Sequence, residues 1–262
     1  LKNIDNLQNI KLVTSQSDIK ITKQLFKTKP KCISEWYGIN IDYEHEKLFP
    51  IPLGIANNYS PKNLTYSNFL AKEKVSPKLK KIYCNYNPNT NNYERKNIKD
   101  KFLSNDLLFF DEPNLSFEQY SSRLREYEFV LCPWGNGFDT HRFWETLYSG
   151  SIPVTKAHHT YSFIPSSNAL FIDSYDDINE NLLNEFLQNY QQIDPNLLTV
   201  SFWIDLMNNS HVDSHESKLV FEQKFITTYR IYEQLIFFKS ASYLKKLKYY
   251  FSKIPKLFRK FQ

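Results

Sequence analysis

The sequence predicts an α/β fold built on parallel strands, and three observations lead to it. Between residues 80 and 195, apolar runs of strand length alternate with longer segments of helical spacing, the rhythm of a parallel sheet with crossover helices. Apolar residues make up 41% of the 262 and aromatics 16%, enough to bury a sizeable core. Glycine is scarce, yet three of the five (Gly135, Gly137 and Gly150) fall in Cys132-Pro-Trp-Gly-Asn-Gly-Phe-Asp-Thr-His-Arg-Phe-Trp-Glu145 and its continuation to Val154. A strand-like run, Phe129-Val-Leu-Cys132, precedes the first two. A segment without glycine or proline up to its end, residues 140–149, follows them and reads as a helix.

The remaining elements follow in order. Ile10-Lys-Leu-Val13 reads as a strand ending in the polar loop 15–18, Cys32-Ile33 opens a second strand–helix unit, and Leu48-Phe-Pro-Ile-Pro-Leu53 is extended. Residues 57–80, rich in Lys, Asn and Ser, read as a connection. Lys81-Ile-Tyr-Cys84 is the next strand, with a loop over 85–92 and a helix over 93–103. Leu107-Leu-Phe-Phe110 is a strand and residues 116–125 a helix. Ile152-Pro-Val154 and Ala169-Leu-Phe-Ile172 are strands, and residues 176–190 are largely helical. From residue 217 apolar positions recur at helical spacing, with Pro255 kinking the last segment.

Composition excludes several classes. No window of 18 uncharged apolar residues exists, so no transmembrane helix is predicted. The formal charge of +5 is carried by the end of the chain, where residues 234–262 hold eight basic side chains and no acidic one. The body is therefore mildly acidic, unlike a nucleic-acid binder with basic residues spread over a folded surface. Three scattered cysteines, Cys32, Cys84 and Cys132, each lie in or beside an apolar run and read as reduced core residues of a reducing compartment.

The glycine-rich stretch carries the chemistry. A strand, a Gly-Asn-Gly turn and a helix start together let backbone N–H groups approach an anion, a common way to hold a nucleotide phosphate. His141 and Arg142 stand in the first helical turn, where positive side chains oppose the helix dipole, so cations there suggest a waiting anion. Glu145 shares a face with Arg142, placing a carboxylate where ribose hydroxyls would lie while Arg142 meets a diphosphate. From spacing alone the two read equally as an ordinary surface pair. Asp139 reads as part of the helix cap or as a ligand for sugar hydroxyls.

Residues 129–154 resemble the donor-binding motif of exostosin-type glycosyltransferases, above all bacterial and viral relatives. Their pattern runs Cys/Ser-Pro-x-Gly-Asn-Gly-x-Asp-x-His-Arg-x-Trp-Glu-Ala-Leu-x-x-Gly-x-Ile-Pro. Upstream, Ser15-Gln-Ser-Asp18, Pro50-Ile-Pro-Leu-Gly-Ile-Ala-Asn57 and the loop from Asn85 to Arg95 resemble further elements in the same order, so the likeness spans about residues 10–175. It implies a GT-B-like α/β architecture: two Rossmann-like domains, the N-terminal one small, with C-terminal helices. The expected partition is 1–78 on the acceptor side, 79–216 for the nucleotide-sugar, and 217–262 for helices with a basic amphipathic tail.

By the same likeness Arg142 and Arg95 neutralise the donor diphosphate and Glu145 holds the ribose. Gly135, Asn136 and Gly137 lie against phosphates or sugar, and His141 touches phosphate or packs as a helix residue. The activity implied is inverting transfer from a nucleotide-sugar, a UDP-sugar by expectation, to a surface polysaccharide such as capsule or lipopolysaccharide, or to a lipid-linked glycan. CMP- or GDP-linked donors and a non-catalytic nucleotide- or glycan-binding subunit are the alternatives. No Asp-x-Asp motif is present, and arginines with a helix start can do the work a metal does elsewhere, so neither cofactor nor metal is expected. His158-His159 has no ligand partners in register.

The general base is expected in the first half: Asp18, which closes a polar loop after a strand, with His45 and Glu46 in reserve. From residue 240 aromatic and aliphatic positions line one helical face and lysines the other, which suits an anionic membrane surface. The expected location is the inner face of the cell membrane, on the cytoplasmic side, with no nucleic-acid partner.

Overall fold

The structure, a computed structural model, describes residues 8–57, 63–69, 78–102 and 105–209. The basic tail and the helical spacing from residue 217 lie outside the described residues. All described elements belong to one compact unit, Gln8–Asp213.

The first half builds two small parallel sheets. Strands β1 (Ile10–Thr14), β3 (Ile33–Gly38) and β5 (Leu48–Pro50) form one in the order β1-β3-β5, while β2 (Ile21–Thr22) pairs with β4 (Ile41–Asp42). A short helix, α1 (Lys23–Lys27), starts where the Thr22 hydroxyl accepts from Leu25 N. Its Phe26 packs with Trp36, Ile41 and Leu48 in one apolar cluster.

The second half is a five-stranded parallel sheet of β6 (Leu79–Cys84), β7 (Leu108–Phe110), β8 (Tyr127–Leu131), β9 (Ile152–Lys156) and β10 (Leu170–Ile172). Four helices alternate with these strands: α2 (Asn92–Lys101), α3 (Phe117–Glu126), α4 (His141–Tyr148) and α5 (Glu180–Asn189). Alternate residues of each strand face opposite layers, as the two-residue period requires. Ile82, Cys84, Phe129 and Leu131 meet Ile98 of α2 and Leu183 of α5. Tyr83, Val130 and Cys132 meet Leu124 of α3 and Phe143, Trp144 and Leu147 of α4. Burial on both faces is why these strands are continuous apolar runs. The mixed α/β architecture with parallel, Rossmann-like sheets is the one the sequence predicts.

Helix ends follow local chemistry. Ser116 and Gln119 form a capping box on α3, and Asn91 caps α2 by accepting from Glu94 N. Gly150, at φ 70°, ends α4 in the left-handed region.

Two features depart from the sequence reading. Residues 57–80 are more than a connection, because Leu64 is fully buried and its N–H donates to Glu145 Oε1 at 3.0 Å. A further helix, α6 (Val200–Asn209), packs Trp203 against Tyr37, Ile39 and Ile51, returning the chain to the first sheet and enlarging that small layer. The cysteines are free, as expected, with Cys84 and Cys132 buried and Cys32 half-buried.

Candidate functional site

The five strands lie in the order β10-β9-β8-β6-β7, so the chain reverses its direction of winding between β6 and β8. In open parallel sheets the crevice beyond the carboxyl ends of the two strands at such a reversal is where ligands bind. The loop after β6 leads to Arg95, and the loop after β8 is the Gly-Asn-Gly turn. The same turn abuts the carboxyl ends of the first half: Asn136 Nδ2 donates to Asp18 Oδ2 at 3.2 Å, and Asp139 N donates to Asn40 Oδ1 at 2.8 Å.

Helix α4 starts without a side-chain cap. Its N-cap Thr140 makes no side-chain cap bond, and its Oγ1 is buried with no partner among the described residues. Tyr86 Oη, Trp134 Nε1 and Arg142 Nε are likewise buried and unpartnered. Of eight such atoms among the described residues, four lie on the segments that form this crevice, and buried polar groups are nearly always hydrogen-bonded. Two of these groups are N–H donors, and the other two are hydroxyls able to donate, so together they suit an anionic or oxygen-rich ligand.

Glu145 is buried beneath this crevice with a half-buried Arg142 beside it, so the two are not an ordinary surface pair. Glu145 is 3% exposed, and its carboxylate accepts from Leu64 N at 3.0 Å and from Tyr120 Oη at 3.0 Å. Burial raises its pKa, with the Arg142 charge and both hydrogen bonds pulling the other way. Burial also opposes the Arg142 charge, yet Tyr120 and Glu145 beside it hold the guanidinium above its ordinary value. Arg142 therefore stays cationic while Nε is left over. Each oxygen of Glu145 already accepts one protein donor.

Arg95 is 5% exposed and spends its donors on the protein. Nε bonds Trp134 O at 2.8 Å, Nη2 bonds Pro133 O at 2.9 Å and Nη1 bonds Asn87 O at 3.2 Å. Burial, with the nearby Arg142 charge, lowers its pKa to about 10, which leaves it protonated at neutral pH. In this arrangement Arg95 builds the turn. A Cβ on Gly135 would come within 3.2 Å of Arg95 Nη2, so the turn closes down on that side chain.

Asp139 and His141 tie the helix start to the segment after β5. The Asp139 carboxylate accepts from Leu53 N at 2.7 Å and Trp144 Nε1 at 2.9 Å, and His141 Nδ1 meets Gly54 O at 2.7 Å. Burial pushes the Asp139 carboxyl up to about 7 against these donors and the Thr140 amide. Asp139 is thus neither a simple cap nor an open sugar ligand in this structure. Gly137 fits only because it lacks a Cβ, which would lie 2.5 Å from both polar atoms of the Asn40 amide.

Of the expected site residues, Asp18, Arg95, Gly135, Asn136, Gly137, Asp139, His141, Arg142 and Glu145 all gather at or beneath this crevice. The reserve bases do not. His45 packs in a tilted arrangement on Phe26 at 4.6 Å between centroids and precedes β5, at the amino end of that sheet, and Glu46 follows it. Residues the motif did not reveal are Asn40, Tyr120 and the pair of Glu94 with Lys156 at 3.1 Å, which Tyr175 Oη joins by donating to Glu94 at 2.6 Å. Only Lys156 carried a signal, as a cation at the end of a strand beside the glycine turn. His158 pairs with Asp42 at 3.5 Å and His159 with Glu44 at 3.4 Å. No group of three or more metal-ligating side chains exists among the described residues. A cavity of about 1200 Å³ opens elsewhere, at the amino ends of the strands beside Lys78, Arg125 and Gly150, and shares no residue with the turn.

No family model matches this chain, the exostosin type included, and no curated protein matches it. Among solved structures it is similar to an α1,3-fucosyltransferase with GDP-fucose: 14% identity, 88% of this chain and 75% of the other, TM-score 0.36. Another α1,3-fucosyltransferase structure shows 15% identity over 73% and 63%, with a TM-score of 0.33. One with GDP shows 14% identity over 81% and 69%, with a TM-score of 0.34. At that level of likeness the functional argument rests on the site itself.

Proposed function

We propose that this chain is a glycosyltransferase that takes a nucleoside diphosphate-sugar at the carboxyl ends of β6 and β8. The observation that carries the reading is the set of unpartnered buried groups, Tyr86 Oη, Trp134 Nε1, Thr140 Oγ1 and Arg142 Nε, around an uncapped helix start at the reversal of the sheet. The diphosphate lies over the start of α4, where Arg142 and the backbone amides meet the charge that develops as it leaves. Arg95 holds the glycine turn in the shape that cradle needs.

In the reaction an acceptor hydroxyl oxygen bonds to the anomeric carbon of the sugar. The bond from that carbon to the diphosphate oxygen breaks, and its electron pair leaves with the diphosphate. The hydroxyl proton passes to the carboxylate of Asp18, exposed and beside the turn through Asn136. Cys132 takes no part as a nucleophile, since burial raises its thiol pKa to about 12. A metal-independent mechanism is part of the proposal, as are an acceptor that is a surface or lipid-linked glycan and attachment to an anionic membrane through the basic tail.

The test is thermal stabilisation by UDP, GDP and CMP, each with EDTA and with magnesium. A diphosphate that raises the melting temperature equally under both conditions supports the reading, and the base that does so identifies the donor. Stabilisation only with magnesium would overturn metal independence. No shift with any of the three, at millimolar concentration, would remove the nucleotide site.

A further inference from the structure

We infer that Asn40 is a positioning residue for the transfer step, holding the loop that bears Asp18 against the turn that receives the nucleotide. The inference rests on the glycosyl-transfer reading above and goes beyond it, because no motif points to this residue. Asn40 follows β3, is 1% exposed, and has φ 55°, a left-handed conformation open mainly to glycine, asparagine and aspartate. Both ends of its amide are used. Nδ2 donates to Ser17 O at 3.0 Å, and Oδ1 accepts from Asp139 N at 2.8 Å.

One side chain thereby joins three segments: the loop after β1, the turn after β3 and the turn after β8. Ser17 immediately precedes Asp18, and Asp139 immediately precedes the N-cap of α4. Gly137 presses its backbone against the same amide, since a Cβ there would lie 2.5 Å from Asn40 Oδ1 and Nδ2. Asn40 therefore sets the separation between the proton-accepting carboxylate and the helix start without touching either reactant. Aspartate cannot replace it fully, for it lacks the donor to Ser17 O. Glycine keeps the backbone angle and loses both bonds. A displacement of about 1 Å in such a constellation costs on the order of 100-fold in rate.

The experiment compares the whole chain with Asn40→Gly and Asn40→Asp. It reads the affinity for the stabilising nucleotide, release of that nucleotide from its sugar conjugate across pH with a glycan acceptor mixture, and amide exchange. Expected for Asn40→Gly is nucleotide affinity within about 3-fold of wild type and turnover lowered 10- to 100-fold. Exchange should quicken in peptides covering 15–20 and 134–140 but not in α5, and Asn40→Asp should recover part of the turnover. Unchanged turnover, or turnover that falls only in step with affinity, overturns the inference. If Asn40→Gly does not fold, Asn40→Asp with wild-type turnover and wild-type exchange in both peptides overturns it. A wild-type chain that binds no nucleotide overturns the transfer reading itself, a result separate from an exchange comparison that shows the two peptides uncoupled.

Discussion

Arg142, which spacing alone left open between a surface pair and a diphosphate-binding cation, stands half-buried in the fold. Its charge is held by Tyr120 and Glu145, and its Nε is left without a partner where a diphosphate is proposed to sit. Truncation to alanine would strand Glu145 as a buried charge, a change worth about 3–5 kcal/mol, and so would confuse binding with folding. Arg142→Lys retains the charge and removes the planar fork, so it separates the two. The expected result is a nucleotide affinity at least about 10-fold weaker by calorimetry, that is about 1.4 kcal/mol, with the thermal midpoint lowered by only a few degrees. Equal affinity in the two proteins would take Arg142 out of the site. Arg95 differs in kind: its three hydrogen bonds go to backbone carbonyls of neighbouring loops. The identity of the residue was legible in the loop pattern, but its commitment to the turn depends on carbonyls about 40 residues further along the chain.

At the level of elements, α2 and α4 meet the crevice in opposite ways. The N-terminus of α2 is closed by Asn91, whose Oδ1 accepts from Glu94 N at 3.2 Å while Nδ2 donates to Gly135 O at 2.9 Å. That of α4 has no side-chain cap from Thr140. Asn91 thus caps one helix and braces the turn that leads into the other. Asn91→Ala should lower stability by about 1–2 kcal/mol, the sum of a lost cap and a lost tie, measured as the shift in urea midpoint. A loss below about 0.3 kcal/mol would show that water replaces both bonds without cost. Strand and helix positions in the second half follow closely the alternation seen in the sequence, because burial on both faces writes itself as apolar runs. The two-stranded β2–β4 sheet, α1 and α6 were not legible: two-residue strands and a five-residue helix carry no period, and α6 takes its place from Trp203 meeting a distant sheet.

For the whole molecule, the two halves are joined through buried groups that titrate. Asp139 receives Leu53 N from the first half and Trp144 Nε1 from α4, and its carboxyl is raised from 3.8 to about 7 by burial. A carboxyl with a raised folded pKa takes up a proton on folding. Its contribution is therefore fully present below about pH 3.8 and is lost as pH climbs through about 7. The urea midpoint of the wild-type chain should fall between pH 5 and pH 8 more steeply than that of Asp139→Asn. The asparagine loses one acceptor, so the slope and not the absolute midpoint is the readout. Parallel slopes would show that Asp139 is ionised throughout.

The parallel α/β class, the order of its main elements and the stretch that carries the site are local matters. Periodicity, scarce glycine and helix-cap chemistry act over a few residues, and each left its mark on the chain. The partners within the site are not local. Asn40 meets Asp139 across 99 positions, Asp18 meets Asn136 across 118, and Glu145 meets Leu64 across 81. A hydrogen bond between a single amide and a backbone N–H leaves no period in either segment, so it exists only once two sheets have brought their carboxyl ends together.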